Sequence, residues 1–212
     1  MLDFVVAGLS ANSVPYVQAL GLQRAVHSSV VAGERPDTVI LLEHPSVYTA
    51  GKRTDPSERP TDGTPVIDVD RGGKITWHGP GQLVGYPILR LPEPIDVVGY
   101  VRSLEGLLID VLAELDIHGQ RVEGRSGVWI ATPAGSWDKI AAIGIRVAEG
   151  VTMHGFALNC SNGFEAYDAI VACGIRDAGV TSISRVLGRT VTTEDVAPIV
   201  ERALSTIFEV SV

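Results

Sequence analysis

The sequence predicts an α+β (α/β) fold, a mixed and largely antiparallel sheet with helices on one or both faces. Three observations predict it. Short apolar runs bounded by Gly, Pro and Asp outnumber the helical patterns. Strands and helices do not alternate as strict βα repeats. Three consecutive apolar runs near the middle of the chain are separated only by tight turns, which suits antiparallel pairing.

Taken in order, Leu2–Gly8 reads as a first strand. Ser13 is placed to cap a helix from Val14 to about Ala32, with Pro15 tolerated in the first turn. Thr38–Leu42 is a continuous apolar run, typical of a buried strand. Lys52 to Pro65 is a long loop rich in Pro, Asp, Thr and Gly, and loops of that length are often functional. Val66–Val69 and Lys74–His78 are short strands joined through Arg71-Gly72-Gly73. Leu83–Leu91 is another strand, in which Pro87 suggests an irregular edge.

Asp96 to about Leu115 is the clearest helix, because Val97, Val101, Leu104, Leu108, Val111 and Leu115 share one face. Gly127–Ala131, Lys139–Val147 and Val151–Leu158 form the run of strands, with turns at Pro133–Gly135 and Glu149–Gly150. A capping box from Thr192 to Asp195 opens a last helix that runs to about Phe208. Apolar runs continue on both sides of the long loop. One catalytic domain is therefore expected over residues 1–212, with its core at about 30–185.

Composition narrows the function. The chain has 212 residues and a formal charge of −8, so a basic footprint for nucleic acid is missing. No run is apolar and long enough to span a bilayer, and no basic segment precedes an apolar start. No membrane association and a cytoplasmic location are expected. Neither G-x-x-x-x-G-K-[ST] nor a strand-to-helix G-x-G-x-x-G occurs, which argues against a P-loop enzyme and a Rossmann dehydrogenase. The five histidines show no metal-ligand spacing and there is no C-x-x-C, so no metal is expected. His27 and His118 read as structural, and Trp129 and Trp137 as core or sheet-surface aromatics.

Chemistry concentrates in a few places. Arg71-Gly72-Gly73-Lys74-Ile75-Thr76-Trp77-His78-Gly79-Pro80-Gly81-Gln82 gathers reactive side chains among glycines that let a ligand approach the backbone. Two cysteines, Cys160 and Cys173, are too few for a disulfide scaffold, so each is either a core thiol or a working one. Cys173 ends an apolar run just before Gly174, where a turn can expose it. A free thiol is only a few per cent thiolate at neutral pH, so a catalytic cysteine needs a base or cation beside it. Candidates are His78, His154, Lys139, Arg176 and Arg71, and spacing alone does not choose among them. Lys139 opens an apolar strand, where a low-dielectric setting lets a lysine act as a base.

The sequence resembles the octanoyltransferase family, also called lipoyl(octanoyl) transferase or lipoate-protein ligase B. The resemblance is carried by Leu42-Glu43-His44-Pro45 with Val47–Gly51; by Arg71-Gly72-Gly73 through Thr76-x-His78-Gly79-Pro80-Gly81-Gln82-Leu83; by Lys139–Gly144; by His154–Asn159; and by Cys173-Gly174 with Gly179–Ser182. It implies a catalytic domain like that of biotin and lipoate protein ligases. It implies transfer of an octanoyl group from octanoyl-acyl carrier protein to a lysine of lipoyl domains, in 2-oxoacid dehydrogenase subunits and the glycine cleavage H protein, with no cofactor. Cys173 falls on the family's thioester-forming cysteine and Lys139 on the lysine that activates it. Substrate contacts fall on Arg71, Gly72, Gly73, Lys74, Ile75, Thr76, Trp77 and His78, on Ala142, Ile143 and Gly144, and on Gly155, Phe156 and Ala157. Many members have Pro before the cysteine, where this chain has Ala172.

Rival readings are an ATP-dependent lipoate or biotin ligase, a cysteine acyl hydrolase, and a non-catalytic acyl-binding protein. Residues 51–90 hold six basic and five acidic side chains, net +1, which leaves −9 for the rest. Lys52, Arg53, Arg59, Arg71 and Lys74 are therefore candidates for a patch that docks an acidic carrier.

Overall fold

A computed structural model of the chain describes residues 2–61, 63–170 and 178–209. A seven-strand path runs β1 (Asp3–Gly8), β2 (Thr38–Leu42), β6 (Gln82–Ile88), β10 (Val151–Asn159), β9 (Trp137–Ala148), β8 (Arg125–Ala131) and β7 (Gln120–Val122). An eighth strand, β11 (Gly179–Val180), lies parallel to the start of β9. Among the described residues, only β1–β2 and β9–β11 are parallel in this sheet; every other pair is antiparallel. A second sheet has the order β4 (Val66–Asp68), β3 (Val47–Ala50), β5 (Thr76–His78). The mixed, largely antiparallel sheet with flanking helices is thus what the sequence predicts.

Alternation along the strands divides the core. Val39, Leu41, Leu83, Ala141 and Leu158 face α2 (Val97–Ala113) and α4 (Thr193–Glu209). Ile40, Leu42, Val84, Tyr86 and Ala157 face α1 (Tyr16–Val31). The second sheet lies over the α1 face, where Thr76 lines the same two pockets as Ala142 and Ala157. Fully burying one such Leu contributes about 1.5–3 kcal/mol, so both faces are firmly pinned. Asp96 caps α2 by accepting from the Gly99 N–H at 2.8 Å, and Thr192 and Asp195 form the expected capping box of α4. No helix among the described residues is long and apolar enough to cross a membrane.

Two expectations are corrected. Helix α1 starts at Tyr16 with Pro15 at its cap, and Ser13 caps nothing. Val14 precedes a proline, which disfavours helical backbone there. Its N–H and C=O are instead taken by the Glu43 carbonyl and the His44 ring. Pro87 lies in a central strand, not at an edge, paired to Val39 of β2. Its carbonyl accepts from the Thr152 hydroxyl (2.7 Å), on the side where the β6–β10 ladder is interrupted near His154 and Gly155. Strands β3, β7 and β11 and the short helix α3 (Ile183–Leu187) have no expectation behind them, being too short for a periodic signal.

Candidate active site

Lys139 owes its position to one irregularity. In the β8–β9 ladder Val128 pairs with Ala141 and the next residue, Trp129, pairs with Lys139, so Ile140 is an extra residue on β9. Such a bulge shifts the two-residue alternation by one. Ala141 and Ile143 face the α2–α4 core, while Ala142 and Gly144 line pockets on the opposite face. Without the bulge Lys139 would share the face of Ala141; with it, Lys139 joins Ala142 in a pocket. The Lys139 Nζ lies 4.5 Å from the centroid of the buried Trp129 ring. Such a cation–π contact contributes about 0.5–2 kcal/mol. Among the described residues no carboxylate is within ion-pair reach of this amine.

The bulge has its own support. Gly127 sits at φ +103°, and a Cβ there would lie 2.4 Å from the Ala141 carbonyl oxygen. Its N–H donates to the buried carboxylate of Glu105 on α2 at 3.0 Å. On the side of β9 away from β8, the Thr181 N–H donates to the Lys139 carbonyl at 3.0 Å, which holds the end of β11 to β9. Tyr167 and Ala178 both line the Lys139 pocket, about 440 Å³ of space that includes its open mouth. They flank the segment that carries Cys173, which itself lies outside the described residues. The other cysteine is settled: Cys160 is fully buried, and burial pushes its thiol up to about 12. It is a core residue.

A second pocket adjoins the first and shares Thr76, Ala142 and Ala157 with it. Its walls include His78, Gly144, His154, Gly155 and Phe156. Gly155 is required here, because a Cβ would lie 2.2 Å from the Gly85 carbonyl oxygen. A chain of amides fixes the His78 ring. Asn159 Nδ2 donates to the Thr181 carbonyl (2.9 Å), so its Oδ1 accepts from Gln82 Nε2 (2.9 Å). Gln82 Oε1 then accepts from His78 Nδ1–H at 2.8 Å. Burial, with the His44 ring and the Arg71 charge nearby, pulls His78 down to about 3. His44 is also buried and held near 4; its Nδ1–H donates to the Val14 carbonyl and its Nε2 accepts from the Tyr86 hydroxyl. Both rings are neutral at pH 7.

The loop before β5 is scaffold as much as wall. Arg71 is buried and donates to the carbonyls of Gly72, Lys74 and Thr49 and to the Thr49 hydroxyl. The Gly72 N–H donates to the Ile145 carbonyl at 2.9 Å, which anchors the loop over β9. Burial raises the Asp70 carboxyl, but the hydrogen bond from His154 and the Arg146 charge outweigh it and leave it below its ordinary value. Ile75 and Trp77 pack in the core of the second sheet, and Ile143 packs against the α2–α4 core. Gly73 follows Gly72 in the loop, and Lys74 pairs with Glu58.

The supposed docking patch shrinks for the same reason. Arg71 is buried, Arg59 pairs with Asp68 and Lys74 with Glu58, which leaves exposed Lys52 and Arg53. Sequence reasoning missed Tyr16, Trp129, Asn159 and Tyr167 as site residues. Asn159 and the Gln82 it binds do stand inside the conspicuous motifs; Tyr16 and Tyr167 carry no local signal.

Comparison with known proteins agrees with this architecture. A profile described as the lipoyl protein ligase A/B catalytic domain matches residues 15–205. A protein named octanoyltransferase from Clavibacter michiganensis is 71% identical over 97% of this chain and 91% of its own. Its namesake from Streptomyces coelicolor is 52% identical over 98% and 94%. A solved bipartite lipoate protein ligase from Thermoplasma acidophilum superposes with a TM-score of 0.71 at 13% identity, over 98% of this chain and 83% of that one. A biotin protein ligase from Aquifex aeolicus gives 0.58 at 13% identity, over 98% and 70%.

Proposed function

The chain belongs to the lipoyl protein ligase A/B catalytic-domain family and, within it, to the octanoyltransferases; from that membership we propose that it takes an octanoyl group from octanoyl-acyl carrier protein onto Cys173 and passes it to a lysine of a lipoyl domain. The observation that carries this reading is the placement of Lys139. Its amine stands in a pocket whose walls include Tyr167 and Ala178, which lie before and after Cys173 in the sequence.

In the first step the Cys173 thiol gives its proton to Lys139 and attacks the donor carbonyl. The carrier thiol leaves with a proton, and one thioester replaces another at little cost in free energy. In the second step the acceptor lysine amine attacks, Lys139 takes its proton, and the Cys173 thiol is released. The amide formed is more stable than the thioester consumed, so no nucleotide is needed. The pocket beside Gly144 and Gly155 holds the acyl chain. Burying its seven apolar carbons supplies about 5–6 kcal/mol at about 0.8 kcal/mol each. Acceptors of this class are lipoyl domains of 2-oxoacid dehydrogenase subunits and the glycine cleavage H protein, and the setting is the cytoplasm.

The test is transfer without ATP. Mixed with octanoyl-acyl carrier protein and a lipoyl domain, the chain should add one octanoyl group to one acceptor lysine, read by peptide mass spectrometry. A requirement for free octanoate plus ATP would make it a ligase instead. Release of octanoate with no acceptor modification would make it a hydrolase.

A further inference from the structure

The second pocket carries polar side chains among largely apolar walls. Five polar rings gather there: Tyr16, His44, His78, Tyr86 and His154. Their bonds sort them. His44 and Tyr86 satisfy one another and the Val14 carbonyl, so that pair is closed. The other three are open. His78 donates through Nδ1, which leaves a lone pair on Nε2 that no described residue uses. His154 donates through Nε2 to Asp70 at 2.8 Å; its Nδ1 is buried and has no partner among the described residues. Tyr16 stacks on the His78 ring with centroids 6.1 Å apart, and no described residue takes its hydroxyl.

His154 is held in place at some cost, at φ +58°, in a region that non-glycine residues rarely occupy. Its backbone N–H is fixed by Gln23 at 3.0 Å. Two neutral imidazole acceptors and a phenol therefore line one small cavity. A methyl terminus offers none of them a partner.

We infer that this pocket recognises an acyl chain through a hydrogen-bond donor near its far end, a hydroxyl or thiol, with Tyr16, His78 and His154 as the recognising residues. The inference rests on the reading of this pocket as the acyl slot. A plain octanoyl chain fits beside a water molecule that bridges the open ring atoms. A ninth carbon displaces that water without replacing its bonds, and loses affinity. A terminal hydroxyl in the same place replaces them.

Calorimetry of free acids with the full chain tests this without any transfer step. 8-Hydroxyoctanoate should bind about tenfold tighter than nonanoate, its near-isostere, and Tyr16→Phe should bring that ratio towards one. An apolar slot gives the opposite order, because a hydroxyl buried without a partner is penalised. Equal or tighter binding of nonanoate, or no detectable binding of either acid, overturns the inference. A ratio unmoved by Tyr16→Phe removes its assignment to this pocket. Should Tyr16→Phe fail to fold, the wild-type order decides alone. Failure of the thioester reading is seen separately, as absence of an octanoyl adduct on the chain while the acid selectivity persists.

Discussion

Gly127→Ala puts the most direct load on the device that aims Lys139. The new Cβ would stand 2.4 Å from the backbone oxygen of Ala141, at a φ of +103°. Holding an L-residue in a sparsely populated backbone region costs about 1–3 kcal/mol. Overpacking against a backbone that cannot step aside adds about 1–3 kcal/mol. The expected loss is thus about 4 kcal/mol against a typical total of about 5–15 kcal/mol. At about 2–4 °C per kcal/mol for a chain of this size, Tm should fall by about 8–16 °C.

Relief of the clash also shifts β8 against β9, and the bulge is what turns Lys139 into the pocket. Octanoyl transfer at 20 °C, where the variant is still folded, should fall about a hundredfold. Gly135→Ala is the control: it has φ +80° in the β8–β9 turn but nothing within 4 Å of the added Cβ. It should lose only about 1–2 kcal/mol of backbone strain and keep its rate. Differential scanning calorimetry and the transfer assay read both variants. A Gly127→Ala protein with wild-type Tm and rate refutes the argument.

Three further outcomes are expected. The buried Glu43 accepts from the N–H groups of Ser10 (3.0 Å) and Gly81 (2.8 Å) and from the Thr193 hydroxyl. Glu43→Gln turns one acceptor into a donor facing a donor, so urea unfolding should show a loss of about 3 kcal/mol. Trp129→Leu should lower the rate of acyl loading with little change in KM, while Trp129→Phe, which keeps a π face under the Lys139 amine, should recover most of it. His44 and His78 are held neutral, near 4 and 3, below the ordinary 6.5. The unfolded chain binds these protons first, so their stabilisation is complete above pH 6.5 and is lost as pH falls towards 4 and 3. The slope is about 1.4 kcal/mol per pH unit for each ring. Denaturation at pH 7 and pH 5 should show it, and His44→Gln should halve it.

Much of the fold was legible because the long elements carry clean periods. The α2 stripe, the capping box of α4 and the β8–β9–β10 meander are visible in the residues themselves. What was not legible depends on partners distant in sequence. Ser13 looks like a cap, but the Glu43 and His44 partners of Val14 lie about thirty residues away. Pro87 looks like an edge residue, because the break in β10 that accommodates it is written at His154. For the site, the motifs pointed to Lys139, Thr76, His78, Ala142, Gly144, Gly155 and Ala157, all of which meet at the two pockets. Simple alternation would have put Lys139 on the wrong face, since a bulge leaves no period of its own. Charge counting also could not see that Arg59 and Lys74 of the basic patch are paired with Asp68 and Glu58 across the loop.

The account stands on a covalent thioester at one of two sulfurs. Intact-mass spectrometry after mixing the chain with octanoyl-acyl carrier protein, with no acceptor present, measures it directly. The account predicts a gain of one octanoyl group that survives Cys160→Ala, vanishes in Cys173→Ala and accumulates more slowly in Lys139→Ala. No adduct on a chain that still octanoylates lipoyl domains, or an adduct that persists in Cys173→Ala, would contradict it.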